Sequence, residues 1–546
     1  MIDHNSISGK CAFVVLILCA VFLTVAVVLS GMQLNHDCAL LLQCGRLITE
    51  GSIPYIDHIE TNIHMAQYIH VPPVLLSRLL NIDVALVFFL GVLFFSFYSC
   101  WTVYLVIRKS GILHSRAGML LVASAVLVFS MQIFRIGDFG QREHLFVLAC
   151  LPFVLLRLSR YNDCEVNKSV AVIIGIFAGL MMLCKPTFFL IIVLIEVWMR
   201  LRYGKNRSHG KPEILAVYSI LFLFAVHLLL FAGSIHSPFF TRWLPYIAKH
   251  YSSYDAAISE MIRWHLKWWF VMLTGIVAGL FLKSRVGPAL RRLFELLILA
   301  VILGIMSFFI QHKGWTYQLI PAFGFSIVLW TTVAAVFEEN HGHTGTIGKM
   351  LGNALLFSPC IICLLLAGSS FRFADTQYTE MNEYIELINS HSSEGDRISF
   401  ISTDVYPMYP TLVYADRLPG TRFMSAFPIA LAYSDEAADD SSVFPYRPPD
   451  EQTSEERLFL AELGSDILEN RPVLVFIMST DDCQACPTGF RIEEYLTHSG
   501  WIAKYMREYR FFCTIEGYSV YRLIRYGESI HQVAPGLIFS MIRETP

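Results

Sequence analysis

Charge is scarce in this chain. Only 16% of its 546 residues are Asp, Glu, Lys or Arg, while hydrophobic residues make up 55%. That excludes an ordinary soluble domain, which carries about 25% charge. Acids and bases nearly cancel, at a formal net charge of −3, so the clustered basic excess of a nucleic-acid binder is missing too. The 13 cysteines lack the paired spacings of a zinc site. Most of them, such as Cys11, Cys19, Cys150, Cys360 and Cys363, lie in apolar runs as small hydrophobes. The middles of nearly all apolar runs are also bare of charge, with His227, Glu196 and Glu295 as the main exceptions, and no internal repeat is evident. Both absences count against a transporter or flippase, which needs a polar path through the bilayer.

What is present is a series of apolar runs, which predicts a polytopic α-helical membrane protein. Eleven spans fit, at roughly 11–31, 82–107, 117–134, 144–158, 169–184, 186–201, 213–234, 266–283, 292–310, 316–337 and 349–368. The first reads as a retained anchor with its N-terminus inside. Lys185-Pro186 divides the apolar stretch 169–201, and both flanks are basic. Arg157, Arg160 and Lys168 precede it; Arg200, Arg202, Lys205, Arg207 and Lys211 follow. Short basic loops stay on the cytoplasmic side, so the stretch crosses twice and Lys185 stands at a hairpin tip on the outer face.

Three outside segments are long. Residues 32–81 read as two amphipathic helices on the membrane surface, 37–50 and 64–80, broken at Gly51-Ser52-Ile53-Pro54. Residues 235–265 are aromatic and lead into an interfacial belt of Trp264, His265, Lys267, Trp268 and Trp269. From about 370 the composition turns polar and the apolar runs shorten. Strands are expected at 397–403, 473–479 and 511–524, hinged at Glu516-Gly517, and helices at 375–389 and 454–470. The chain thus divides into a membrane domain, 1–369, and a soluble, extracytoplasmic α/β domain, 370–546. Cys483-Gln484-Ala485-Cys486 reads as an oxidised structural pair, with Cys513 as an alternative partner.

Ionisable side chains gather where the spans meet the outer face: Asp37, Asp57, Glu60 and His64; Arg135, Asp138, Arg142, Glu143 and His144; Lys185; His312 and Lys313. This suits a substrate with its tail in the bilayer and its head just outside. Transfer of a sugar from a polyprenyl phosphate needs one carboxylate to take the acceptor's proton and fixed positive charge for the departing phosphate. Asp37 is the first choice of base and Asp57 the second. Lys185, Lys313 and Arg142 are the choices for the phosphate, with His312, Arg135 and Tyr317 near them. Each has a structural alternative: Asp37 suits a helix N-cap, Lys185 a snorkelling anchor, Tyr317 an aromatic belt.

His36-Asp37 followed by Gly51-Ser52-Ile53-Pro54-Tyr55-Ile56-Asp57 resembles the first outside loop of the GT-C membrane glycosyltransferases, such as protein O-mannosyltransferases and the aminoarabinose–lipid A transferase. Cys184-Lys185-Pro186 resembles their hairpin tip. The segment from His312-Lys313-Gly314 through Tyr317 to Pro321 resembles the one that opens a late span, and Asp138–His144 falls at a polar outside loop. The resemblance covers about residues 10–340. It implies an inverting transferase of a bacterial inner membrane, using a polyprenyl-phosphate sugar donor and a lipid, glycan or protein acceptor among the membrane lipids. Many relatives carry Asp-Glu where this chain has His36-Asp37, so a divalent metal remains an open question; no other cofactor is implied.

Overall fold

The computed structural model describes residues 7–29, 33–204, 211–231, 237–341, 345–433, 444–481 and 486–524. Helices at the positions of the expected spans are α1 (Ile7–Leu29), α5 (Val84–Ser110), α6 (Arg116–Arg135), α7 (Arg142–Tyr161), α8 (Lys168–Met182), α9 (Pro186–Tyr203), α10 (Pro212–Leu230), α13 (Leu266–Leu282), α14 (Pro288–Gln311), α15 (Ile320–His341) and α16 (Gly345–His391). Seven helices among the described residues are long and apolar enough to cross a membrane, or eight if α12 (Ile258–Trp264) and α13, bent by 84°, form one span. The others are short, as α8 is, or carry three charges, as α9 does with Glu196, Arg200 and Arg202. The chain is a multi-pass helical membrane protein.

Local chemistry sets the helix ends. Asp83, Ser115 and Asn167 accept backbone N–H bonds at the starts of α5, α6 and α8. Pro186, Pro212 and Pro288 open α9, α10 and α14, where a missing N–H costs nothing. In the bundle α6 packs against α1, α5 and α15, and α14 against α15. Arg157 and Arg160 are not loop charges. They lie on the last turns of α7, buried against Glu213 of α10, and Arg157 also holds Glu196 of α9 at 2.5 Å.

The segment between α1 and α5 forms α2 (His36–Thr49), α3 (His64–Tyr68) and α4 (Val71–Leu80). The expected single helix 64–80 is broken because Pro72 and Pro73 must start a new helix rather than continue one. α2 is sunk into the protein. Cys38 through Gly45 are all buried, and it packs on α4 and on α17 (Met408–Tyr414).

The C-terminal part carries a five-stranded mixed sheet, ordered β2-β1-β3-β5-β4, of β1 (Arg397–Ile401), β2 (Leu418–Pro419), β3 (Leu474–Met478), β4 (Tyr509–Ile515) and β5 (Tyr518–Leu523). β1 is parallel to β2 and β3, while β5 is antiparallel to β3 and β4. The expected helix appears as Ser454–Asn470, held by a capping box of Thr453 and Glu456. The expected helix 375–389 lies within α16, which runs unbroken through 369–370. Cys486 is disulfide-bonded and Cys513 is a free thiol; Cys483 lies outside the described residues.

Two contacts fix the sheet region over the segment 33–62. Ile59 N–H donates to Arg422 O at 2.7 Å and Met424 N–H to Ile59 O at 2.9 Å, a parallel bridge of Ile59 with Phe423. Gln43 Nε2 donates to Arg417 O at 2.9 Å.

Candidate active site

Between the helical bundle and the sheet region lies a cavity of about 730 Å³. Its floor is the start of α2 with His36 and Asp37, the turn Glu60-Thr61-Asn62, and Asp138 and Arg142 before and at the start of α7. One wall is aromatic: Tyr254, Trp264, Trp315 and Tyr317. Thr403 to Tyr406 and Met424, Ser425 and Phe427 form the roof.

Asp37 owes its place to Asn35, the N-cap whose side chain accepts the Asp37 N–H at 2.8 Å. Gln141 Nε2 donates to Asp37 Oδ2 at 2.8 Å and to Asn35 Oδ1 at 3.0 Å, and Asn35 Nδ2 donates to Asp138 Oδ1 at 3.0 Å. Asp37 Oδ1 faces His36 Nε2 at 3.8 Å. Burial alone would raise the Asp37 carboxyl. His36, Arg142, the Gln141 hydrogen bond and Lys185 together outweigh it and hold the group below the usual carboxylate range. Asp138 goes the other way, pushed up to about 8 by burial and then by Asp37 and Glu143. Two neighbouring carboxyls are thus held in opposite protonation states at neutral pH.

Arg142 is 5% exposed and makes no hydrogen bond or ion pair with the described residues; its Nε is buried and unpartnered. A buried guanidinium left this way is a ready anion site. Lys185, N-cap of α9, donates from Nζ to Glu143 Oε1 at 2.7 Å and lies 5.6 Å from the Tyr317 ring centre.

The remaining expected residues lie elsewhere. Asp57 is exposed and accepts the Ile53 N–H at 2.7 Å across its turn. Arg135 is exposed at the end of α6 and does not line the cavity. Lys313 is buried against Asp255, and the His312 carbonyl accepts the Ala256 N–H at 2.8 Å. Both flank the aromatic wall rather than line it. Glu60 was grouped with the outer-face charges but given no role, and the roof was not singled out from sequence. Glu60 is buried, its Oε2 bound by Asn62 through backbone and side chain at 2.8 Å each, and burial raises its carboxyl.

No protein-family model and no curated protein matches the chain. Solved structures do. ArnT from Cupriavidus metallidurans, in a structure bound to undecaprenyl phosphate, superposes with a TM-score of 0.54 at 9% identity, over 92% of this chain and 97% of that one. The arabinofuranosyltransferase AftD from Mycobacteria superposes with a TM-score of 0.50 at 14% identity, over 96% of this chain but only 40% of the mycobacterial one. The fold is GT-C-like. Within this fold, the cavity sits where the first interhelical segment, the α6–α7 turn and the C-terminal sheet region meet. No group of three or more His, Cys, Asp or Glu among the described residues is arranged to hold a metal ion. Asp37 is turned toward Gln141, His36 and Arg142.

Proposed function

We propose that this chain is a glycosyltransferase that moves a sugar from a polyprenyl-phosphate-linked donor to a hydroxyl of a lipid, glycan or protein acceptor. The observation that carries this reading is one cavity holding both an ionised carboxylate, Asp37, and an unpartnered buried cation, Arg142. Asp37 takes the acceptor's hydroxyl proton as that oxygen attacks the anomeric carbon. The bond from the anomeric carbon to the phosphate oxygen breaks with inversion. The electron pair stays on the phosphate, and Arg142 and Lys185 balance its charge. Asp37 then releases its proton to solvent. The arrangement has one base and no second carboxylate acting as nucleophile, unlike a retaining glycosidase.

Undecaprenyl phosphate in the ArnT structure supports a lipid-phosphate ligand for the same fold here. The basic residues beside Lys168–Tyr203 support an extracytoplasmic cavity, and with it a bacterial inner-membrane location. Asp57, already engaged in its own turn, serves as turn residue rather than base.

The test compares wild type, Asp37→Asn and a full deletion at matched membrane levels, by mass spectrometry of surface glycans and glycolipids. Loss of a general base lowers transfer about 10²–10⁴-fold. The expected result is loss of one sugar from a surface molecule in Asp37→Asn, with lipid-linked donor accumulating. Unchanged surface sugars in the deletion would overturn the reading.

A further inference from the structure

Two cations lie close together at this end of the bundle, Arg142 lining the cavity and Lys185 near it without lining it, and they are held differently. Arg142 makes no hydrogen bond or ion pair with the described residues and faces the charges of Glu143 and Asp37 at longer range, whereas Lys185 pairs directly with Glu143. Glu143 is 1% exposed, its Oε1 meets Lys185 Nζ at 2.7 Å, and its Oε2 is buried without a hydrogen bond. Among the described residues Lys185 is the sole ion-pair partner of this carboxylate. Neighbours in sequence on the first turn of α7, Arg142 and Glu143 thus divide the work: one presents its own charge and the other anchors a second charge from a different helix.

An ammonium beside a guanidinium is in a poor position to stay protonated. The groups facing Lys185 are Arg142 and Glu143 from α7, Asp37 from α2, Tyr317 from the 3₁₀ turn Thr316–Leu319, and Cys184 next to it in the chain. Burial lowers the Lys185 ammonium from its ordinary value and Arg142 lowers it further, while Glu143 and then Asp37 oppose them. Take the Glu143 charge away and only Asp37 remains on the opposing side.

We propose, building on the lipid-phosphate reading above, that Glu143 is a positioning residue. Its carboxylate keeps Lys185 charged and aimed beside Arg142, so that both cations meet the donor phosphate together. The residue touches Lys185 rather than the reacting atoms. Its removal is therefore felt as a change in how phosphate binding depends on pH.

The test is equilibrium binding of radiolabelled undecaprenyl phosphate to the purified full chain in detergent, between about pH 7 and pH 9.5. That window lies above the second ionisation of a phosphate monoester, near pH ~6. Binding needs the ammonium, so it is present below the Lys185 pKa and lost as pH rises through it. Glu143→Gln moves that loss to lower pH, with a slope approaching about tenfold per pH unit. Glu143→Gln/Lys185→Arg carries a guanidinium that does not titrate, so its binding loses the Lys185-dependent fall and keeps only the change that ionisation of Asp138, at about pH 8, brings to every variant. Should Glu143→Gln bind at no pH, recovery in the double variant supports the proposal and continued loss overturns it. A Glu143→Gln profile that superimposes on wild type overturns the role of Glu143 and leaves the transferase reading intact. A wild type that binds no undecaprenyl phosphate at any pH removes the lipid-phosphate reading, and this proposal with it.

Discussion

Glu213→Gln probes the end of the bundle away from the cavity. Glu213, in the first turn of α10, is fully buried and accepts three bonds: from Arg157 Nη1 at 3.0 Å, and from Arg160 Nε and Nη2 at 3.1 Å each. The amide keeps the shape and one acceptor oxygen but removes the charge. Arg157 retains Glu196, whereas Arg160 is left with the Cys164 carbonyl at 3.2 Å. Removing one partner of a buried ion pair costs about 3–5 kcal/mol. With Glu196 still in place, the lower end applies, about 3 kcal/mol. The control is Glu295→Gln. Its arginine partners, Arg202 and Arg291, are 51% and 52% exposed, and such pairs contribute at most about 1 kcal/mol. Thermal unfolding of both variants in the same detergent is the assay. A fall in Tm several times larger for Glu213→Gln is expected, and equal falls would refute the argument that burial makes this network matter.

Asp138 predicts a pH dependence of opposite sign to the usual carboxylate. Its folded value, about 8, lies above that of the unfolded chain, so its contribution is full in acid and fades as pH rises from about 4 toward 8. Wild-type Tm should fall more than that of Asp138→Asn between pH 6 and pH 8.5, and parallel Tm curves would count against the shift. Gly304 lets α14 approach α15. A β-carbon there would lie 2.6 Å from the Ala322 backbone, so Gly304→Ala should force the helices apart at a cost of about 1–3 kcal/mol, read as a lower Tm. An unchanged Tm would mean that the contact gives way freely.

Local signals carried the sequence reading far. Apolar runs located the helices of the bundle, and the apolar pattern at 454–470 matched the helix Ser454–Asn470, whose start a capping box holds. Strand windows at 473–479 and 511–524 matched β3 and the β4–β5 hairpin because alternation and the Glu516-Gly517 turn are also local. Asp37 was legible from its place just beyond the first span. What escaped was set by distant pairing. Nothing near Glu143 in sequence says that it faces Lys185, and nothing near Thr403 or Ser425 says that they roof a cavity floored by Glu60 and Arg142. The Pro72-Pro73 break was the exception, a local signal that the apolar run obscured.

The Gln43–Arg417 contact has a consequence for biosynthesis. Its partners are 374 residues apart, so at about 5–20 residues per second Arg417 emerges roughly 20–75 s after Gln43. Throughout that interval α2, with Leu40, Leu41 and Leu42, lacks the α17 surface that covers it in the finished molecule. A nascent helix of that composition shelters at a bilayer surface. Membrane contact is thus a way station for α2, and the cavity has no roof until Thr403 to Phe427 have been made. A chain released early would carry Asp37 and Arg142 with nothing above them.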